Sequence, residues 1–401
     1  MIRHVPVLAG RISALLAEGV TGTVIDCTLG DGGHSEALLA RLPPQARVVG
    51  LDRDADALRE AAARLSHDAR FTCVHTAFSK LAAVEATGGA AGFLFDFGVS
   101  SRQIDEDERG FTIRPGVALD LRMDRGEEFD LRAVLTESDS EDLGRRLSDL
   151  ADVPRSRTVA RHLSGIAATR DLVSDDLEAA LLSAFPRGMR DRPRELARLA
   201  MALRMLVNRE LEEIEEALPS AWERLAPGGR LAVLTYHSVE DRLVKGLLRG
   251  LIGDDPDPRR DLYGNRPDRK GDWVVRLEKP SADEVAANSR ARSAQLRVVE
   301  KRRGVALAGI LVAMVMVGLV GSVMVGCVWR QTRHVELEKG LEAARADGRR
   351  LGDSLVQMQA AVRAERQPSG VAARAALYGY RRPLRQFRLP EPDTSLAEVR
   401  P

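Results

Sequence analysis

From Gly304 to Trp329 the chain reads GVALAGILVAMVMVGLVGSVMVGCVW, without one charged side chain. At about 1.5 Å of rise per residue, a helix of this length exceeds the roughly 30 Å thickness of bilayer hydrocarbon. Uncharged runs this long seldom occur in soluble cores. Glycines at 304, 309, 318, 321 and 326 also suit a membrane helix better than a buried soluble one. The run predicts one transmembrane helix over 304–329 and confines the soluble core to the residues before it. Arg297, Lys301, Arg302 and Arg303 precede it and Arg330 and Arg333 follow, a modest bias that sets the N-terminal side inside and the tail outside. Beyond, Leu337, Leu341, Ala344, Gly348, Leu351, Leu355, Met358 and Val362 alternate steps of four and three. That is the seam of a short coiled coil over 335–365, weakened by Gly348, and a Pro/Arg-rich tail occupies 366–401.

The first 300 residues alternate strand and helix signals. Thr23–Leu29, Arg47–Asp52, Phe71–His75 and Gly92–Val99 are short apolar or β-rich runs. Helical periods lie between them at Ser35–Leu42 and Ala55–Leu65. This is the grammar of an α/β, doubly wound parallel sheet over 1–100. Residues 101–220 read as polar loops and then helices, the clearest being Glu195–Leu218 with leucines along one face. They form a helical insertion, a platform for a substrate. Strand signals return over 221–300 at Arg230–Ser238 and Trp273–Glu278, around a polar loop at Gly253–Asp272.

Composition excludes several classes. A formal net charge of +1 leaves nucleic-acid affinity to local clusters. Cys27, Cys73 and Cys327 lie far apart, with no CxxC pair and no histidine at zinc spacing, which argues against disulfides and structural zinc and fits a reducing compartment. No metal-ligand cluster is expected. Met1–Pro6 lacks the apolar region of a signal peptide, as expected of a cytoplasmic catalytic part.

The chemistry concentrates at Asp26-Cys-Thr-Leu-Gly-Asp-Gly-Gly-His34, where the first strand should turn into a helix. Glycines at 30, 32 and 33 permit a tight turn close to a ligand, and amides at the helix start face it. Asp52 ends the second strand about twenty residues on, where a carboxylate accepts both ribose hydroxyls. A turn of this kind serves dinucleotides and S-adenosylmethionine alike. The GxGG spacing leans away from NAD, because Ser35 stands where a helix-packing glycine would be. Asp96 ends the fourth strand, facing the ligand crevice of such a sheet.

His4–Leu8, Asp26–Ser35, Leu51–Asp54, Asp96–Ser101, Glu108–Phe111, Leu119–Asp124, Val207–Glu213, Leu225–Leu231, His237–Arg242 and Asn288–Arg297 follow one order. In it the chain resembles the bacterial 16S ribosomal RNA cytosine N(4)-methyltransferase family over about residues 4–300. The resemblance implies a Rossmann-like class I methyltransferase sheet, S-adenosylmethionine as methyl donor, and a decoding-centre cytidine of the small ribosomal subunit as acceptor. Carried over by motif, the cofactor contacts are Gly32, Gly33, His34, Asp52, Phe78, Asp96 and Gln103. The sequence departs from the family at Asp31, at Arg192–Leu196 and Ala200–Arg204, and at Thr235-Tyr236, where Ser-Phe is commoner. The segment after 304 resembles small division-septum proteins of the FtsL type in architecture. It would engage a coiled-coil division partner or a second copy, or serve as a plain anchor.

A cytosine amine is a poor nucleophile, since its lone pair is delocalised into the ring, and attack needs in-line placement and a proton acceptor. Asp96 is the first candidate, with His237 and Asp241 behind it. The base must be unstacked and held through phosphates. Arg155, Arg157, Arg161, Arg187, Arg190, Arg192, Arg194, Arg290, Arg292 and Arg297 are the candidate contacts. The competing readings are a methyltransferase for another substrate, and a division scaffold carrying an inactive methyltransferase fold.

Overall fold

The computed structural model describes residues 6–84, 89–185, 188–254, 268–303 and 307–365, with backbone alone at 307–313 and 365. His4 and Val5, Arg187, most of the Gly253–Asp272 loop, Gly304 and the 366–401 tail lie outside the described residues. The chain divides into two compact units, 1–304 and 305–401.

Among the described residues, unit one is built on seven strands: β1 (Thr23–Asp26), β2 (Arg47–Asp52), β3 (Phe71–His75), β4 (Ala90–Asp96), β5 (Leu225–Thr235), β6 (Gly271–Glu278) and β7 (Gln295–Lys301). Their order is β3-β2-β1-β4-β5-β7-β6. The first five run parallel, and β7 lies antiparallel to both its neighbours. This is the Rossmann-like sheet of class I methyltransferases. Side chains alternate across it with period two. Val24, Val48, Leu94, Ala232, Leu234, Leu296 and Val298 join one core with helices Ala9–Ala17 and Gly33–Leu39. Ile25, Leu51, Phe93, Phe95, Leu231, Val233 and Val299 face the other, under helices Glu210–Arg224 and Ser238–Ile252. Burial on both faces is why the central strands read as unbroken apolar runs.

β7 was not anticipated. Gln295–Lys301 pairs with β5 from Arg230↔Glu300 to Thr235↔Gln295.

Between β4 and β5, helices Leu131–Glu137, Ser140–Ala151, Ser156–Ala167, Ser174–Ala184 and Arg192–Val207 enclose a separate core. The expected single helix over Glu195–Leu218 is two. Arg192–Val207 ends at Asn208, Arg209 takes a left-handed φ of 51°, and Glu210–Arg224 begins. The leucine stripe therefore divides. Leu199, Leu203 and Leu206 belong to the insertion core, whereas Ile214 and Leu218 belong to the core under the sheet.

Among its described residues, unit two is one continuous helix, Leu307–Glu365. Its apolar part is long and apolar enough to cross a membrane, with none of that window buried. Leu337, Leu341, Leu351, Leu355 and Met358 of the heptad seam are exposed.

Candidate active site

Chain order in the sheet reverses between β1 and β4, and in an open α/β sheet the crevice at such a switch point receives the ligand at the strands' C-terminal ends. Three carboxylates end strands on this edge. Asp26 is fully buried and accepts from Ser35 Oγ at 2.7 Å. Burial raises its pKa, against the opposing charge of His34. Asp52 is half-buried and accepts from the amides of Gly30 and Asp54, each at 2.8 Å. Removal from water pushes its pKa up to about 6. Asp96 accepts from Tyr236 Oη at 2.7 Å on Oδ1, and its Oδ2 lies 3.3 Å from His34 Nε2. Its own amide donates to Thr28 Oγ1 at 2.6 Å, tying β4 to the glycine turn.

The turn runs over Gly30–Gly33 into helix Gly33–Leu39. Gly32 has φ +79°, and a Cβ there would stand 3.0 Å from Leu65 Cδ1 and 3.2 Å from Ala61 Cβ. A side chain would be strained by the backbone and by the helix Ala55–Leu65 behind it. A Cβ at Gly33 would meet Pro6 Cγ at 2.7 Å. His34 is buried, and neither ring nitrogen has an aligned hydrogen-bond partner. Burial opposes its protonation, but the charges of Asp96, Asp26 and Glu284 outweigh it and raise its pKa.

Gly32, Gly33, His34, Asp52 and Asp96 thus come together. Phe78 opens a short 3-10 helix and packs against Phe97 at 5.5 Å and edge-on to Phe95 at 5.9 Å. Gln103 is buried and committed at both ends of its amide: Oε1 accepts from Ser100 N at 3.0 Å, and Nε2 donates to Asp54 Oδ2 at 2.9 Å. His237 caps helix Ser238–Ile252 and pairs with buried Glu240 at 2.7 Å. Asp241 is gripped by Arg297 through two bonds of 2.8 and 2.9 Å.

Arg297 is 6% exposed on β7, which corrects the expectation that it meets RNA phosphate. Its alternation on a strand points it inward to Asp241. Among the other arginines, Arg157 and Arg161 contact Glu141, Arg192 pairs with Glu178, and Arg290 with Asp105. Arg155 lies 4.6 Å over the Phe185 ring. Arg190, Arg194 and Arg292 are exposed.

Three site residues escaped the sequence reading. Arg109, 2% exposed, forks onto Asp54 at 2.8 and 3.2 Å and donates to Met123 O at 2.8 Å. Both members of this buried pair lie within the quoted motifs, but nothing in a spacing of 55 residues indicates that they meet. Tyr236 is the third; it stood out only as a departure.

The sequence model of the MraW methylase family matches residues 1–302. The chain belongs to this family. A similar protein, a Ribosomal RNA small subunit methyltransferase H of Heliobacterium modesticaldum, is 40% identical over 321 residues, covering 76% of this chain and all of the relative. The protein of that name from Gemmatimonas aurantiaca is 39% identical over 302 residues, covering 73% of this chain and 94% of its own length. The MraW match stops just before the uncharged run, so the long helix Leu307–Glu365 lies outside the methylase portion.

Proposed function

We propose that this MraW-family methylase transfers a methyl group from S-adenosylmethionine to the exocyclic N(4) amine of a decoding-centre cytidine in 16S ribosomal RNA of the small subunit. The observation that carries the reading is the convergence of Asp26, Asp52 and Asp96 on one glycine turn at the switch point of the sheet. The names of the relatives support the substrate.

The residues fit the cofactor. Among the described residues, His34 Nδ1 and Arg102 Nη2 are buried without hydrogen-bond partners, and Arg102 Nε faces Asp31 Oδ1 only at 3.9 Å. Such orphaned groups are costly unless a ligand completes them, and an amino-acid end brings both a carboxylate and an ammonium. Asp52 is suited to ribose hydroxyls and Phe78 to a purine face. When bound, S-adenosylmethionine supplies an electrophilic methyl on a sulfonium sulfur.

The protein's own part is placement and proton removal. The amine lone pair forms the N–C bond as the C–S pair returns to sulfur, and the proton freed from nitrogen passes to Asp96. Asp96 suits that role: its side chain is 23% exposed, and its second oxygen lies 3.3 Å from His34 Nε2 without an aligned hydrogen bond. His237 and Asp241 have their polar atoms engaged by Glu240 and Arg297, and we assign them to holding the β5 end in place. Replacing Asp96 with Ala should lower methyl incorporation into 30S subunits by about a thousandfold or more. Turnover within tenfold of wild type would remove Asp96 from the reaction, and labelling of another substrate in preference to 30S subunits would overturn the RNA reading.

The helix Leu307–Glu365 supports a membrane anchor by its length and apolar composition. In this reading the methylase unit is cytoplasmic, and the heptad seam lies outside, open to a division-protein partner or a second copy of the chain.

A further inference from the structure

Tyr236 follows β5 directly, and Asp96 ends β4 in register with Leu234, so the parallel pairing brings the phenol beside the carboxylate. Its hydroxyl donates to Asp96 Oδ1 at 2.7 Å, while its amide donates to Glu240 Oε2 at 3.0 Å and fixes the backbone. Asp96 is restrained from the other side by Thr28, which receives the Asp96 amide at 2.6 Å. One carboxylate oxygen is therefore occupied, and the other lies on the His34 side, 3.3 Å from its Nε2.

Resting on the role of Asp96 given above, we propose that Tyr236 is a positioning residue for methyl transfer, its hydroxyl fixing the rotation of the Asp96 carboxylate so that Oδ2 takes the amine proton. An unheld aspartate turns freely about its terminal torsion, and only part of that range leaves an oxygen in line with an approaching amine. Burial and the Asp96 charge push phenol ionisation well above its ordinary range, so Tyr236 stays a donor throughout the working pH range. The other charged groups facing this pair are His34 and Asp26 at the glycine turn, Glu240 on helix Ser238–Ile252 and Glu284 on helix Ala282–Ala287. Tyr236→Phe leaves all four in place.

The test compares full-length wild type and Tyr236→Phe in steady-state methylation of 30S subunits across pH, with S-adenosylmethionine binding measured by calorimetry. We expect kcat to fall about tenfold near neutrality, as for loss of one hydrogen bond to a charged group. Kd for S-adenosylmethionine and KM for 30S subunits should stay within about twofold of wild type. An active wild type with kcat unchanged in the variant overturns the clamp alone, as does a fall in kcat matched by an equal loss of cofactor affinity. A wild type inert toward 30S subunits overturns the proposed function and the clamp with it.

Discussion

Asp52 has both carboxylate oxygens accepting backbone amides, at 2.8 Å from Gly30 and 2.8 Å from Asp54, yet withdrawal from water still carries its pKa up to about 6. The sign has a consequence for the ligand. Ribose hydroxyls donate to the ionised carboxylate, so S-adenosylmethionine affinity should be level above that pKa and weaken as pH falls through it, by up to about tenfold per pH unit. The folded protein, for its part, is favoured by protonated Asp52 and loses that contribution as pH rises past the same point. Calorimetric titrations between about pH 5 and 8 check the binding slope. A Kd that stays flat to the acid end would mean that no hydroxyl leans on Asp52. Neighbouring Asp54 shows the opposite behaviour: burial works against its charge, but the grip of Arg109 and Gln103 lowers its pKa. Two carboxylates two residues apart thus stay distinct because one has a cation and the other has only amides.

The joint between helices Arg192–Val207 and Glu210–Arg224 shows how a single residue sets an element's end. Asn208 is 2% exposed; its Nδ2 donates to Leu121 O at 2.7 Å and Arg204 O at 2.8 Å, and its Oδ1 accepts from Met123 N at 2.8 Å. The bonds stop one helix and pin the segment around Leu121, itself held at a left-handed φ of 62°. Arg109 bonds the same segment at Met123 O, and through Asp54 the restraint reaches Asp52, whose carboxylate accepts the Asp54 amide. Asn208→Ala strands a buried amide and a buried carbonyl, so we expect a loss of about 2–4 kcal/mol in urea unfolding. An unchanged midpoint would show that water replaces the side chain there.

At the scale of the molecule, the two units differ in how they cover their apolar side chains. The methylase unit closes its cores within residues 7–299, while the helix Leu307–Glu365 exposes Met314, Val317, Met324, Val325 and Trp329. A soluble protein rarely leaves so much apolar surface uncovered. Full-length protein should therefore sediment with membranes, and a chain ended at Arg303 should remain in the supernatant with 30S methylation within about twofold of full length. Equal partition of the two forms would sink the anchor. Accumulation of labelled 301–401 at the division septum supports the division partner; diffuse membrane staining counts against it.

Local features sufficed for much of this. The period-two runs, the glycine turn and the strand-end acids Asp52 and Asp96 are short-range signals, written within a few residues of where they lie, and the uncharged run is legible by composition alone. Tertiary structure decided what depends on distant pairing: β7 with Arg297 turned inward, the leucine stripe shared between two cores, Arg109 on Asp54, and the Tyr236 hydroxyl on Asp96. A hydrogen bond between residues 140 positions apart leaves no periodic trace in the chain, because strand register, and not sequence spacing, sets which side chains meet.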